Sequence, residues 1–175
     1  MKNYLIMLCL GFLTACGGGG SGGGSGSGGG GGEIHAYNPT PTLVRFDIVD
    51  SYGVDTAESN RPLEIDPYIG NGLFDVFWRV NSLDDYRINI RVSSKPSVSN
   101  SILIYSEVCG AGRACDQGGG VICEYTSDSY LSCNNARIPT DIISLPEDVY
   151  MILEVCDLNS SYCGYKYHPV FMPYP

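Results

Sequence analysis

Tyr86-Arg87-Ile88-Asn89-Ile90-Arg91-Val92 alternates without a break, placing Tyr86, Ile88, Ile90 and Val92 on one side and Arg87, Asn89 and Arg91 on the other. A β-strand sends successive side chains to opposite faces, so the pattern predicts a strand with one face dry and one wet. The same period extends outward in both directions. Upstream, Val44, Phe46 and Ile48 alternate with Arg45 and Asp47, and Phe74, Val76, Trp78 and Val80 alternate with Asp75, Phe77 and Arg79. Downstream, further strands are predicted over 101–108, 121–125, 149–155 and 165–171. Turn signals separate them: Gly70-Asn71-Gly72, Asn81 to Asp85, Lys95-Pro96 and Asn134-Asn135. No window keeps a helical apolar period for more than a turn or two. The prediction is an all-β chain, an antiparallel β-sandwich of about seven strands.

The first 32 residues read differently. A short basic start, Met1-Lys2-Asn3, precedes the apolar run Tyr4 to Leu13, which is shorter than the roughly 20 residues of a spanning helix. Basic start, apolar core and small residues make a secretory signal peptide. Leu13-Thr14-Ala15-Cys16 resembles the lipobox of bacterial lipoproteins. That resemblance implies cleavage before Cys16, a diacylglycerol thioether on its sulfur, and an acyl group such as palmitate on the new amino terminus. It also implies the outer membrane, since Gly17 rather than Asp follows the cysteine. Two or more acyl chains anchor stably where one does not. Gly17 to Gly32 contains only Gly and Ser and is expected to be a disordered tether with a root-mean-square span of roughly 20–24 Å. Its formal G-x-S-x-G follows no strand and opens no helix, so it is compositional. The expected organisation is a leader over 1–15, a lipidated Cys16 with tether over 16–32, and one sandwich domain over 33–175.

The chain carries 10 basic and 19 acidic residues, a formal charge of −9. Loss of Lys2 with the leader leaves −10. An acidic surface argues against nucleic acid and against electrostatic docking on anionic lipid. Beyond Cys9 and Cys16, six cysteines remain, all in the last 67 residues: Cys109, Cys115, Cys123, Cys133, Cys156 and Cys163. An even count in an exported domain reads as disulfides, with 15 pairings formally possible. Spacing favours three local loops, Cys109–Cys115, Cys123–Cys133 and Cys156–Cys163. With no C-x-x-C and no nearby histidine pair, neither a zinc site nor a redox pair is expected.

Trp78, followed by Tyr86-x-Ile88-x-Ile90 on the next strand, resembles the second and third strands of fibronectin type III modules. Leu145-Pro146-Glu147-Asp148-Val149-Tyr150 is similar to their tyrosine corner, in which a tyrosine hydroxyl bonds back to the upstream backbone. The resemblance covers 72–171 and implies structural core roles for Trp78, Tyr86 and Tyr150. It departs from the family at Glu154, where an apolar residue is usual, in a Leu-to-Tyr interval one residue short, and in having disulfides.

Little in the sequence speaks for catalysis. His35 sits just after the tether and His168 in the terminal run Tyr165-Lys166-Tyr167-His168-Pro169, so neither is expected to be held in a cleft. Asp84-Asp85 and Glu147-Asp148 fall in predicted turns, and Asp47, Asp50 and Asp55 lack the regular spacing of a calcium loop. No cofactor or metal is expected. Tyrosine is the surplus, with twelve after the leader. It combines rigid contact area with one polar handle. Tyr130, Tyr162, Tyr165 and Tyr167 are therefore the expected binding residues, on or beside loops closed by disulfides. The expected function is a non-catalytic outer-membrane lipoprotein whose sandwich binds an envelope or secreted protein. A carbohydrate- or peptidoglycan-binding module is the alternative, and an envelope hydrolase the third.

Overall fold

In the computed structural model, residues 40–56, 62–134, 136–139 and 148–175 are described. The expected lipobox and tether, His35 and the stretch 145–147 of the proposed tyrosine corner lie outside them. The alternation around Tyr86 becomes β4 (Tyr86–Ser93), an inner strand of a sheet ordered β2-β10-β9-β4-β5. Its members are β2 (Leu63–Glu64), β10 (Cys163–Phe171), β9 (Asp148–Asp157) and β5 (Ile102–Cys109). The second sheet runs β1-β3-β6-β7-β8, from β1 (Thr42–Val49), β3 (Leu73–Asn81), β6 (Gly118–Tyr125), β7 (Tyr130–Cys133) and β8 (Ala136–Pro139). The two sheets pack face to face as a β-sandwich. Among the described residues the strands number ten rather than seven, and β2 runs parallel to β10, so that sheet is mixed rather than wholly antiparallel.

Inward residues of both sheets form one core. Tyr86, Ile88, Ile90 and Val92 of β4 meet Val149, Met151, Leu153 and Val155 of β9 and Phe74, Val76, Trp78 and Val80 of β3, all buried. Each such side chain contributes about 1.5–3 kcal/mol by leaving water. Tyr86 also anchors a loop: its buried hydroxyl donates to the carbonyls of Cys115 at 2.7 Å and Asp116 at 2.9 Å. Burial pushes that phenol up to about 12.

Three expectations change. Val44 does not join Phe46 and Ile48, because a bulge between Leu43 and Arg45 shifts the register and leaves it 50 % exposed. Tyr150 is not in the core: Val149 and Met151 take the inward positions of β9, and period two puts Tyr150 half-buried on the outer face, edge-on to Tyr167. Finally, β6 starts at Gly118, three residues earlier than its β-branched residues suggest. Glycine carries no strand signal of its own. Here Gly119 and Gly120 lie opposite Trp78 and Phe77, whose rings cover them.

All three disulfides are local: Cys109–Cys115, Cys123–Cys133 and Cys156–Cys163. Two of them join residues directly opposite each other, across β6–β7 and β9–β10. On one side the sandwich is closed by β10, whose Lys166 ammonium donates to the Val44 carbonyl at 2.7 Å and whose His168 Nε2 donates to the Phe46 carbonyl at 2.8 Å. The His168 ring also packs on Phe46, with centroids 4.9 Å apart. His168→Ala is therefore expected to lower stability by about 1–2 kcal/mol. The check is a shifted urea midpoint at unchanged slope.

Candidate binding surface

The β9–β10 hairpin carries three of the four expected binding tyrosines. Its tip is held from within. The Asp157 carboxylate accepts from Ser160 Oγ at 2.6 Å and from the Asn159 amide at 3.0 Å, and the Asp157 amide donates to the Tyr162 carbonyl. These two donors, the Ser160 hydroxyl first, hold the Asp157 carboxyl below its ordinary value. The resulting support is present above the ordinary aspartate range and fades as the pH falls through the lowered value. Cys156–Cys163 closes the base of the tip. Tyr162 stands on it, 49 % exposed, with its hydroxyl over Gly164.

Along β10, Tyr165 and Tyr167 point away from the core at 45 % and 46 % exposure. Tyr165 lies opposite Glu154 and Tyr167 opposite Ile152. Tyr150 meets the Tyr167 ring edge-on at 5.6 Å, which fixes it in place. Beside the tyrosines runs a polar row that crosses β9, β4 and β5. Glu154, only 9 % exposed, accepts from Asn89 Nδ2 and from Arg91 Nε, both at 2.9 Å, and Asn89 Oδ1 accepts from Ser106 at 2.8 Å. Glu154, the departure from the fibronectin-like pattern, thus faces outward and is neutralised by Arg91. The face is aromatic on one flank and charge-compensated on the other.

Tyr130 does not join this surface. It lies on β7 of the other sheet, with the Arg137 guanidinium 4.6 Å above its ring. The Cys109–Cys115 loop is fixed independently, by Tyr86 from inside and by an Arg113–Asp85 ion pair at 2.9 Å outside. Comparisons of the chain with protein-family models, with curated proteins and with solved structures return no match. The remaining candidates have structural occupations. His168 holds the Phe46 carbonyl. Asp50 spends its carboxylate on the amides of Tyr52, Val54 and Glu64, while Asp47 pairs with Arg45. Two groups, Glu107 with Cys109 and Cys115, and Glu154 with Cys156 and Cys163, bring three ligand-type residues together. In both, the disulfide has consumed the thiolates a metal would need.

Sequence reasoning reached the tyrosines but not their grouping. Two signals were present for the grouping: the i, i+2 spacing of Tyr165 and Tyr167, and Glu154 standing eleven places before Tyr165 across a closed hairpin. The face they form also includes Asn89 and Arg91, the polar half of the alternation that defines β4.

Proposed function

We propose that this chain is a lipid-anchored, non-catalytic binding protein of the bacterial outer membrane. In this reading the outer face of β10-β9-β4, with the hairpin tip, docks an envelope or secreted protein. The observation that carries it is the pair Tyr165 and Tyr167, half-exposed on a rigid hairpin beside a row of polar groups whose hydrogen bonds are already satisfied. Rigid aromatic side chains lose little entropy on docking, and a compensated polar row carries no desolvated unpaired charge into an interface. The anchor rests on Leu13-Thr14-Ala15-Cys16. A tether then raises the local concentration of the domain at the membrane. The fibronectin-like reading draws support from the strand order, with β10-β9-β4-β5 facing β1-β3-β6 and Trp78 buried between them.

Photo-cross-linking in the intact envelope tests the docking face. Probes at Tyr162 and Tyr165 are expected to capture one recurrent protein, and a probe at Tyr130, on the other sheet, is not. Equal capture from all three positions, or none from the first two, removes the proposal. Labelling with radioactive palmitate tests the anchor separately, and incorporation into a Cys16→Ser chain would show that the lipid is not on that residue.

A further inference from the structure

The two outer faces of the sandwich differ in chemistry. On the sheet that contains β3 and β6, the outward positions of β3 are Leu73, Asp75, Phe77 and Arg79, and those of β6 are Gly118, Gly120, Ile122 and Glu124. Leu73 and Phe77 are 44 % and 45 % exposed, and Ile122 is 63 % exposed. The register brings the three together. Ile122 lies opposite Asp75, between the rows of Leu73 and Phe77, and the Phe77 ring rests on Gly120. The water-facing side of an antiparallel sheet is ordinarily polar at such positions. A contiguous apolar patch rimmed by charge is instead the anatomy of an interface.

Charge narrows what covers it. Arg79 stands at one end of the patch, and Glu124 stands beside Leu73 at the other, roughly 20 Å away along the strands. Asp75 lies between them, nearer the Glu124 end. Among the described residues none of these three has an ion-pair or hydrogen-bond partner, whereas Arg45, opposite Arg79 on β1, is paired with Asp47. The face is therefore positive at one end, negative at the other and apolar in the middle. A surface polarised in this way complements itself when turned end for end.

The fit follows from the register. Two copies stacked face to face, about a two-fold axis perpendicular to the strands, place the row of Arg79 over the row of Leu73 and Glu124 in the second copy. Each guanidinium then meets Glu124 of the second copy, with Asp75 one step further in. Ile122 comes to lie over Gly120 of the second copy and the Phe77 ring that rests on it. A two-fold axis along the strands would instead set the two Arg79 side chains together and the two Glu124 side chains together. We propose that the outer face of β3 and β6 joins two copies of this chain as an end-for-end dimer, with Phe77 and Ile122 at its centre and Arg79–Glu124 pairs at its ends. This face is on the sheet opposite the tyrosine surface and stands whether or not that surface docks a protein. Tyr130, past the Leu73 row on β7, is outside it.

The face measures roughly 20 Å along the strands and 15 Å from β1 to β7, small for an interface, so association is expected in the micromolar range. Sedimentation velocity over a concentration series reads it, on the chain as cells produce it and in a non-ionic detergent. A reversible dimer is expected. Ile122→Lys, at an exposed position that spares the core, should weaken it about tenfold or more. Arg79→Glu and Glu124→Arg should each weaken it about tenfold, and the double variant should associate more tightly than either single one, because the charges are exchanged rather than lost. The proposal is overturned by a monomer up to roughly 500 μM, far above a micromolar dissociation constant. It is equally overturned by single variants that associate like the parent, or by a double variant no tighter than the singles. A photo-cross-linking probe at Ile122 that captures another protein or lipid, and never a second copy, overturns it as well.

Discussion

Reduction of the three disulfides is expected to unfold this domain or bring it to the edge of unfolding. The bridges span separations of 6, 10 and 7 residues. For loops of these lengths, loop-closure entropy gives about 2.2, 2.7 and 2.4 kcal/mol, together about 7 kcal/mol. A domain of this size has roughly 5–15 kcal/mol in total. The bridges should not open together. Cys163 is exposed and Cys156 half-buried, whereas Cys109, Cys115, Cys123 and Cys133 are buried. The hairpin bridge therefore opens first under mild reductant, and the other two open only as the sandwich loosens. Urea titration followed by circular dichroism and Trp78 emission, with and without reductant, checks the size of the effect. Timed alkylation with mass analysis checks the order. A fully reduced chain that kept its oxidised midpoint would refute the assignment of these bridges as structural clamps.

The second large effect is expected at one glycine. Gly72 closes the turn into β3 at φ +70°, and a Cβ there would lie 1.9 Å from the Tyr125 carbonyl oxygen and 3.2 Å from Pro67 Cα. Both neighbours are backbone, so neither can swing aside. The left-handed conformation costs an L-residue about 1–2 kcal/mol, and forced overpacking adds roughly 1–3 kcal/mol. Gly72→Ala should therefore lose about 2–5 kcal/mol, read from the urea midpoint. Gly53→Ala is the matched control, with φ +76° and nothing within 4 Å of the added atom, and should show the conformational part alone. Equal losses in the two variants would mean that the collision at Gly72 is relieved by movement of the turn.

What was legible in the sequence was whatever is written locally. Alternation located β1, β3, β4, β5, β9 and β10, and close cysteine spacing located the three pairings, because both signals lie within a few residues of chain. β2 was hidden because it is two residues long and exists only through parallel pairing with β10. The first half of β6 was hidden because Gly118, Gly119 and Gly120 have no side chains to alternate. Tyr150 was misplaced because a resemblance put it inward, while the alternation of Val149, Met151 and Leu153 already put it outward. The polar row around Glu154 draws on three strands and leaves no pattern in any single window.

The closure of the sandwich by β10 has a further consequence, for orientation. Lys166 bonds Val44 and His168 bonds Phe46, so β1 and β10 run side by side in the same direction. The start of β10, with the hairpin tip before it, therefore shares an end of the domain with Thr42, where the chain enters. Tyr86 pairs with both Cys109 and Asp157, which brings the Cys109–Cys115 loop to that end as well. Cys123, paired with Phe74 at the start of β3, lies at the far end. Two of the three stapled loops therefore share the end of the sandwich at which β1 begins, and the third lies at the opposite end.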